Sequence, residues 1–224
     1  VAFVWDLGRA LGPVVELYRA TGLDAARDLA RICAEKALDS SFLKDGSWAL
    51  ERMVSHIHSI TCTLSGLATY AEVMEDDAVM KRVERFYRNG LWAMRDGLGW
   101  SIEGLRTEKG GVPDMGEANN TGDIIEAALA LGRAGDAEAF ADVERMVRGH
   151  LLPSQLRDVS FIQDPPNPDG VDGLRDVANR NLGAWGFPAP YGHAPIGLEH
   201  IKFHLDVVGG VTGSHCKVPR NIIR

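Results

Sequence analysis

A chain of 224 residues, 45% of them apolar, can bury a sizeable core, as one large domain or two small ones. Its formal net charge of −7 leaves no basic field for phosphates, which argues against nucleic acid and anionic membrane and favours a neutral or weakly polar substrate. No apolar run approaches the roughly 20 residues of a membrane span, and the opening Val1-Ala2-Phe3-Val4-Trp5-Asp6 lacks the basic start of a targeting signal.

Three scattered cysteines, Cys33, Cys62 and Cys216, make neither a disulfide framework nor a Cys-x-x-Cys zinc site. They suggest a reducing, cytoplasmic setting. The chain opens without Met, as if within a helix, and ends as abruptly, so a processed or partial chain is expected.

Leu11, Val14, Val15 and Tyr18 follow helical spacing. Thr21-Gly22-Leu23-Asp24 interrupts them, and Ala26, Leu29, Ala30, Cys33 and Ala37 resume the period, which predicts a helical hairpin. A second hairpin is predicted from Ile57, Ile60, Thr61, Leu64, Leu67, Ala68 and Ala71, the break Glu75-Asp76-Asp77, and Val79, Val83, Phe86, Tyr87 and Leu91. Ile124, Ile125, Ala128 and Leu131, the turn Arg133-Ala134-Gly135-Asp136, and Phe140, Val143, Val147 and Leu151 predict a third. The units align on their turns with a period of about 50 to 60 residues. Such units bury their apolar faces only against neighbours, by stacking or by closing a ring. The expectation is an all-α, single-domain α/α-hairpin toroid over 1–224, incomplete at roughly half to two-thirds of a six-hairpin ring, with a plain bundle or open solenoid as the alternative.

Two segments interrupt the hairpins. Gly97 to Asn120, Gly-rich with Pro113, reads as a loop with a short β-hairpin, and 156–195 reads as a long irregular region containing Asp164-Pro165-Pro166-Asn167-Pro168-Asp169-Gly170. The first gathers Trp100, Glu103, Glu117, Asn119, Asn120 and Asp123 just before a helix, the inventory of a sugar site. Glycosidic cleavage needs an acid at the leaving oxygen and a nucleophile or base across the ring, and tryptophan stacks on sugar faces. Glu103 and Glu117 are the candidate pair, with Glu108 or Asp114 able to replace Glu103. The competing reading has Asn119, Asn120, Thr121 and Asp123 capping the third hairpin and Glu117 solvated.

His56 and His58 diverge on a helix, so one of them is expected at a cleft rather than both on a metal. His193, His200, His204 and His215 follow, with His200 and His204 at i,i+4 spacing but no His-Glu-x-x-His motif. Cys216 beside His215, in a Gly-rich loop, has the surroundings of an activated thiol nucleophile, against the reading of an incidental cysteine.

From about His56 to Cys216, through HIHSITCTLSGLATYAE, GWSIE, GEANNTGDIIEAALALGRAGDAEAFADVERMVRGHLLPSQ and GGVTGSHC, the chain resembles the β-L-arabinofuranosidase-type glycoside hydrolases, a branch of the six-hairpin glycosidases. The third segment carries most of the likeness: Asp142, Glu144, Arg145 and Gln155 match the family pattern, while Gly149-His150 stands where an Asn is usual. The resemblance implies a retaining enzyme on a plant or microbial glycan. In it Cys216 is the nucleophile, Glu103 the acid/base, and Glu117 a carboxylate on zinc together with Cys216. Asn119 stands where a zinc-ligand Cys is usual, and Lys217 where a second Cys would follow Cys216. The tail from Lys217 to Arg224 also departs from the family's Gly-Asn-Gly, and the β-sandwich domains usual after the family's toroid are not expected within these 224 residues.

The expected substrate-binding set is His58, Trp100, Asn119, Asn120, Asp123, Trp185 and His193, around a carbohydrate, with self-association as a further candidate. Two other readings compete. One is an epimerase or polysaccharide lyase using His58, His193 or His204 as base. The other is a non-catalytic carbohydrate-binding or scaffold fragment relying on Trp100 or Trp185.

Overall fold

The computed structural model describes residues 7–48, 57–102, 118–155, 157–161, 166–170, 175–180 and 182–183. After a 3-10 turn at Gly8–Ala10, the helices are α1 Leu11–Thr21, α2 Asp24–Ser40, α3 Ile57–Val73, α4 Asp77–Arg88, α5 Ala118–Arg133, α6 Ala137–Met146 and the short α7 Val177–Arg180. No strand occurs among the described residues, so the all-α expectation holds there. Nor is any described helix long and apolar enough to cross a membrane.

The three expected hairpins are present as α1–α2, α3–α4 and α5–α6, and their turns have local causes. Gly22 ends α1 in a left-handed conformation with its N–H on the Tyr18 carbonyl at 2.7 Å. Asp76 caps α4, its carboxylate accepting from the Ala78 and Val79 amides at 3.1 and 3.0 Å. Asp136, at the matching place before α6, instead pairs with Arg88.

α3 packs against α1 on one side and α5 on the other, while α2, α4 and α6 lie mainly on their own hairpin partners. The first helix of each hairpin is thus an inner one. α3 is enclosed so thoroughly that His58, Ser59, Thr61, Thr63 and Ser65 are buried along with Ile57, Ile60, Leu64 and Leu67. Its buried hydroxyls bond back along the helix, as in Thr63 Oγ1 to the Ser59 carbonyl at 2.7 Å. α1 crosses α3 where two glycines meet: a Cβ on Gly66 would stand 2.9 Å from the Gly12 nitrogen.

The outer helices have one wet face. α4 buries Val79, Val83, Phe86 and Tyr87. Two residues of the expected stripes are exposed, Leu29 at 48% and Phe140 at 46%. Phe140 still rests its ring over Gly132.

One structural repeat is hidden in the loops that leave α2 and α4. Phe42 bridges Trp48 and Arg95 bridges Ser101, each pair antiparallel. In the first turn the Leu43 amide meets the Ser47 carbonyl at 3.0 Å; in the second the Asp96 amide meets the Trp100 carbonyl at 2.9 Å. Gly46 and Gly99 occupy the same place, with φ of 85° and 90°. The first turn delivers Phe42 and Trp48 onto the Phe86 ring, with centroids 4.8 and 5.9 Å away. The second delivers Arg95 between the rings of Tyr87 and Trp92, at 4.8 and 4.4 Å.

The segment expected as a loop from Gly97 to Asn120 is shorter at its far end, because α5 has begun by Ala118. Asn119, Asn120 and Thr121 therefore lie inside the first helical turn. Between them, Asn120 and Thr121 bond the preceding loop: Asn120 Nδ2 donates to the Ile102 carbonyl at 3.0 Å and Thr121 Oγ1 to the Gly99 carbonyl at 2.8 Å. Within 156–195, α7 is the one helix among the described residues.

Candidate functional site

The chemistry-bearing residues collect in the seam between α3 and α5. Thr61 Oγ1 donates to Asp123 Oδ2 at 2.7 Å, Ser65 Oγ to Glu126 Oε2 at 2.7 Å, and Arg133 Nη2 to Glu72 Oε2 at 2.7 Å. Partner numbers rise together on both helices, so α3 and α5 run parallel and both N-terminal ends reach the same edge of the fold. Asp123 and Glu126 are three apart and share the α5 face that meets α3.

At that edge a residue from the first 3-10 turn joins the seam. Arg9 Nη2 donates to His58 Nδ1 at 3.1 Å. A guanidinium can only donate, so Nδ1 must accept, and the neutral ring carries its proton on Nε2. Nε2 stands 3.6 Å from Asp123 Oδ2, with the His58 side chain fully buried and that of Asp123 8% exposed. The Arg9 cation, the imidazole and the Asp123 carboxylate form a short chain of alternating character across three elements.

Cys62 lies beside this chain, its Sγ 3.9 Å from the Arg9 carbonyl. Burial pushes its thiol well above the ordinary range, and the negative charge of Asp123 pushes the same way. Cys62 is therefore a neutral thiol in this state. His58, Cys62 and Asp123 bring one nitrogen, one sulfur and one oxygen within 4.8 Å of one another.

A second polar cluster joins the outer helices. Asp142 accepts from Tyr87 Oη at 3.0 Å, Arg145 Nη1 at 2.7 Å and Arg88 Nη1 at 3.4 Å. Burial raises the Tyr87 hydroxyl far above its ordinary value, so it remains a donor. Nearby, burial lowers the His150 imidazole from its ordinary value, opposed by the charge of Asp96.

Of the residues expected to form the site, the structure brings His58 and Asp123 side by side, with Nε2 and Oδ2 3.6 Å apart. Asn120 lies in the same first stretch of α5 and is tied to the loop that carries Trp100, whose amide donates to Asp96 Oδ1 at 3.1 Å. Asn119 is buried beside it. His58, Asn119 and Asn120 are closed off from solvent, so they form the backing of this region rather than its surface. Glu103, Glu117, Trp185, His193 and Cys216, and with them the expected acid/base, nucleophile and Glu117–Cys216 zinc pair, lie outside the described residues. So do His56, Glu108, Asp114, His200, His204 and His215.

Sequence reasoning passed over Arg9, Ser65 and Glu126, used Thr61 only as a helix marker, and weighed Cys62 only as one of three scattered cysteines. One signal was available: Thr61 and Ser65 sit at i,i+4 inside an otherwise apolar helix face, where hydroxyls need partners. No family model matches the chain, and no curated protein does.

Proposed function

We propose that the chain is a glycoside hydrolase acting on a plant or microbial glycan, with β-L-arabinofuranosides the substrate class that the resemblance implies, built on part of a six-hairpin toroid. The observation that carries this reading is the seam: parallel inner helices bring His58, Asp123, Asn119 and Asn120 to one edge of a hairpin array. Repeated hairpins with an inner and an outer helix are the units from which α/α rings are built.

In this reading the buried residues position rather than touch. Asn120 and Thr121 pin the loop that leads from Trp100 towards Glu103, so that the loop and the start of α5 are fixed to each other. Asp123 and His58 brace the same end from inside the α3–α5 seam. Trp100 is the aromatic platform for a sugar face. As the resemblance implies, Glu103 supplies the acid/base function, Cys216 the nucleophile and Glu117 a further carboxylate.

The zinc implied by the resemblance does not fit the donors present. Such a soft site normally takes four ligands, and Asn119 and Lys217 stand in place of two thiolates. Asn119 is moreover buried in the first turn of α5.

The test is hydrolysis of a panel of aryl glycosides, arabinofuranosides included, by the whole chain beside Glu103→Gln, Glu117→Gln and Cys216→Ser. Turnover of an arabinofuranoside that each substitution lowers at least about a hundredfold supports the assignment. Turnover of no glycoside by a folded chain would sink it. Turnover that these three substitutions leave intact and that replacing His58, His193 or His204 abolishes would favour His-based proton abstraction instead.

A further inference from the structure

We propose that His58, Cys62 and Asp123 form a divalent metal site of zinc type at the N-terminal end of the α3–α5 seam, with Arg9 as its competitor. The proposal does not depend on the glycan reading.

The donor set comes first. One imidazole nitrogen, one thiol sulfur and one carboxylate oxygen make a mixed set suited to a borderline-soft, four-coordinate ion, with a fourth position left for water. Their geometry agrees. Two nitrogen or oxygen ligands, each about 2.0 to 2.1 Å from a tetrahedral ion, stand roughly 3.3 to 3.4 Å apart, and a sulfur at about 2.3 Å stands slightly farther from either. The observed separation of His58 Nε2 and Asp123 Oδ2 is 3.6 Å, beyond hydrogen-bond range yet within a few tenths of an ångström of a ligand–ligand edge. All three ligand atoms fall within 4.8 Å of one another, so modest side-chain adjustment would close the set.

The supports are equally particular. His58 and Cys62 are four apart on α3 and so share a face, while Asp123 meets them from α5. Thr61 Oγ1 holds the Asp123 carboxylate in place at 2.7 Å, the orienting hydrogen bond that ligating carboxylates commonly have.

Arg9 sets the condition for loading. Its guanidinium donates to Nδ1, which fixes the ring proton on Nε2, the nitrogen the metal would need. Binding moves that proton to Nδ1, so the guanidinium must withdraw, and Arg9 is only half-buried in its 3-10 turn. The Cys62 thiol is neutral before binding and a thiolate after it, and its proton leaves to solvent. Each ion bound therefore releases one proton, and affinity rises with pH.

The test titrates the whole chain with Co2+ alone and reads the near-ultraviolet thiolate-to-cobalt absorption, then displaces the Co2+ with Zn2+. The expected result is one equivalent of Co2+ bound, with the band lost in Cys62→Ser and kept in Cys33→Ser and Cys216→Ser, all four proteins retaining helical circular dichroism. Arg9→Gln removes the competing cation and brings an amide oxygen that can accept from Nδ1–H, so it should tighten Co2+ binding by about tenfold or more. No band in the folded wild-type chain, a band that survives Cys62→Ser, or weaker binding by Arg9→Gln would each overturn the proposal. If Cys62→Ser fails to fold, the Arg9→Gln titration decides.

Discussion

Replacing Asp142 by alanine should destabilise the fold by about 3 kcal/mol, one of the two largest losses expected from a single substitution outside the apolar core. Asp142 is buried and accepts from Tyr87 of α4 and Arg145 of α6, with Arg88 at the edge. Alanine leaves the Tyr87 hydroxyl buried with no acceptor there, and Burial has already made that hydroxyl reluctant to ionise. Arg88 and Arg145 are 33% and 49% exposed at the side chain, so water re-solvates them and they add little to the loss. The orphaned hydroxyl is the larger cause, and removing it should help. Tyr87→Phe in the Asp142→Ala background should recover about 1 kcal/mol, although Tyr87→Phe alone destabilises. Chemical denaturation of the four proteins measures the cycle.

Gly46→Ala should cost about as much, roughly 3 kcal/mol or more, for a different reason. Gly46 has a φ of 85°, and a Cβ there would stand 2.6 Å from the Arg85 carbonyl oxygen. The obstacle is the Arg85 backbone, which cannot swing aside as the Asn89 amide, 2.9 Å away, could. Gly99, its counterpart in the second turn, has a φ of 90°, but its Cβ would meet the Met146 side chain. Methionine can repack, so Gly99→Ala should cost less, nearer 2 kcal/mol. Equal losses would mean that left-handed strain alone sets both.

The hairpins were legible because each rests on local signals: Gly22 after one apolar run, and Asp76 and Asp136 before two others. The repeated turns were not. Asp45-Gly46 and Asp96-Gly97 look equivalent in the sequence, yet the structural counterpart of Gly46 is Gly99. Two residues of offset hide the match. Exposure of Leu29 and Phe140 was equally hard to foresee, since period marks a face but not which neighbour covers it.

The site was legible in part. His58 and Asp123 were singled out separately, one for its place near a helix start and one for its place in a polar run. Their proximity joins positions 65 residues apart, and Arg9 reaches His58 across 49. No periodicity reports such pairs. α3 also conceals its own orientation: because it is buried nearly all round, its apolar stripe does not say that Thr61 and Ser65 face α5.

The central claim is that the polar end of the α3–α5 seam serves a sugar site and is not there merely to hold the helices together. The most direct measurement is turnover of the best aryl glycoside by Asp123→Asn, set beside its thermal unfolding midpoint. Asparagine keeps the shape and can still accept from Thr61 Oγ1. The account predicts turnover lower by about a hundredfold with the midpoint unchanged or raised, because functional polar groups are commonly held at some expense of stability. Unchanged turnover with a lowered midpoint would contradict it and make the seam a structural device.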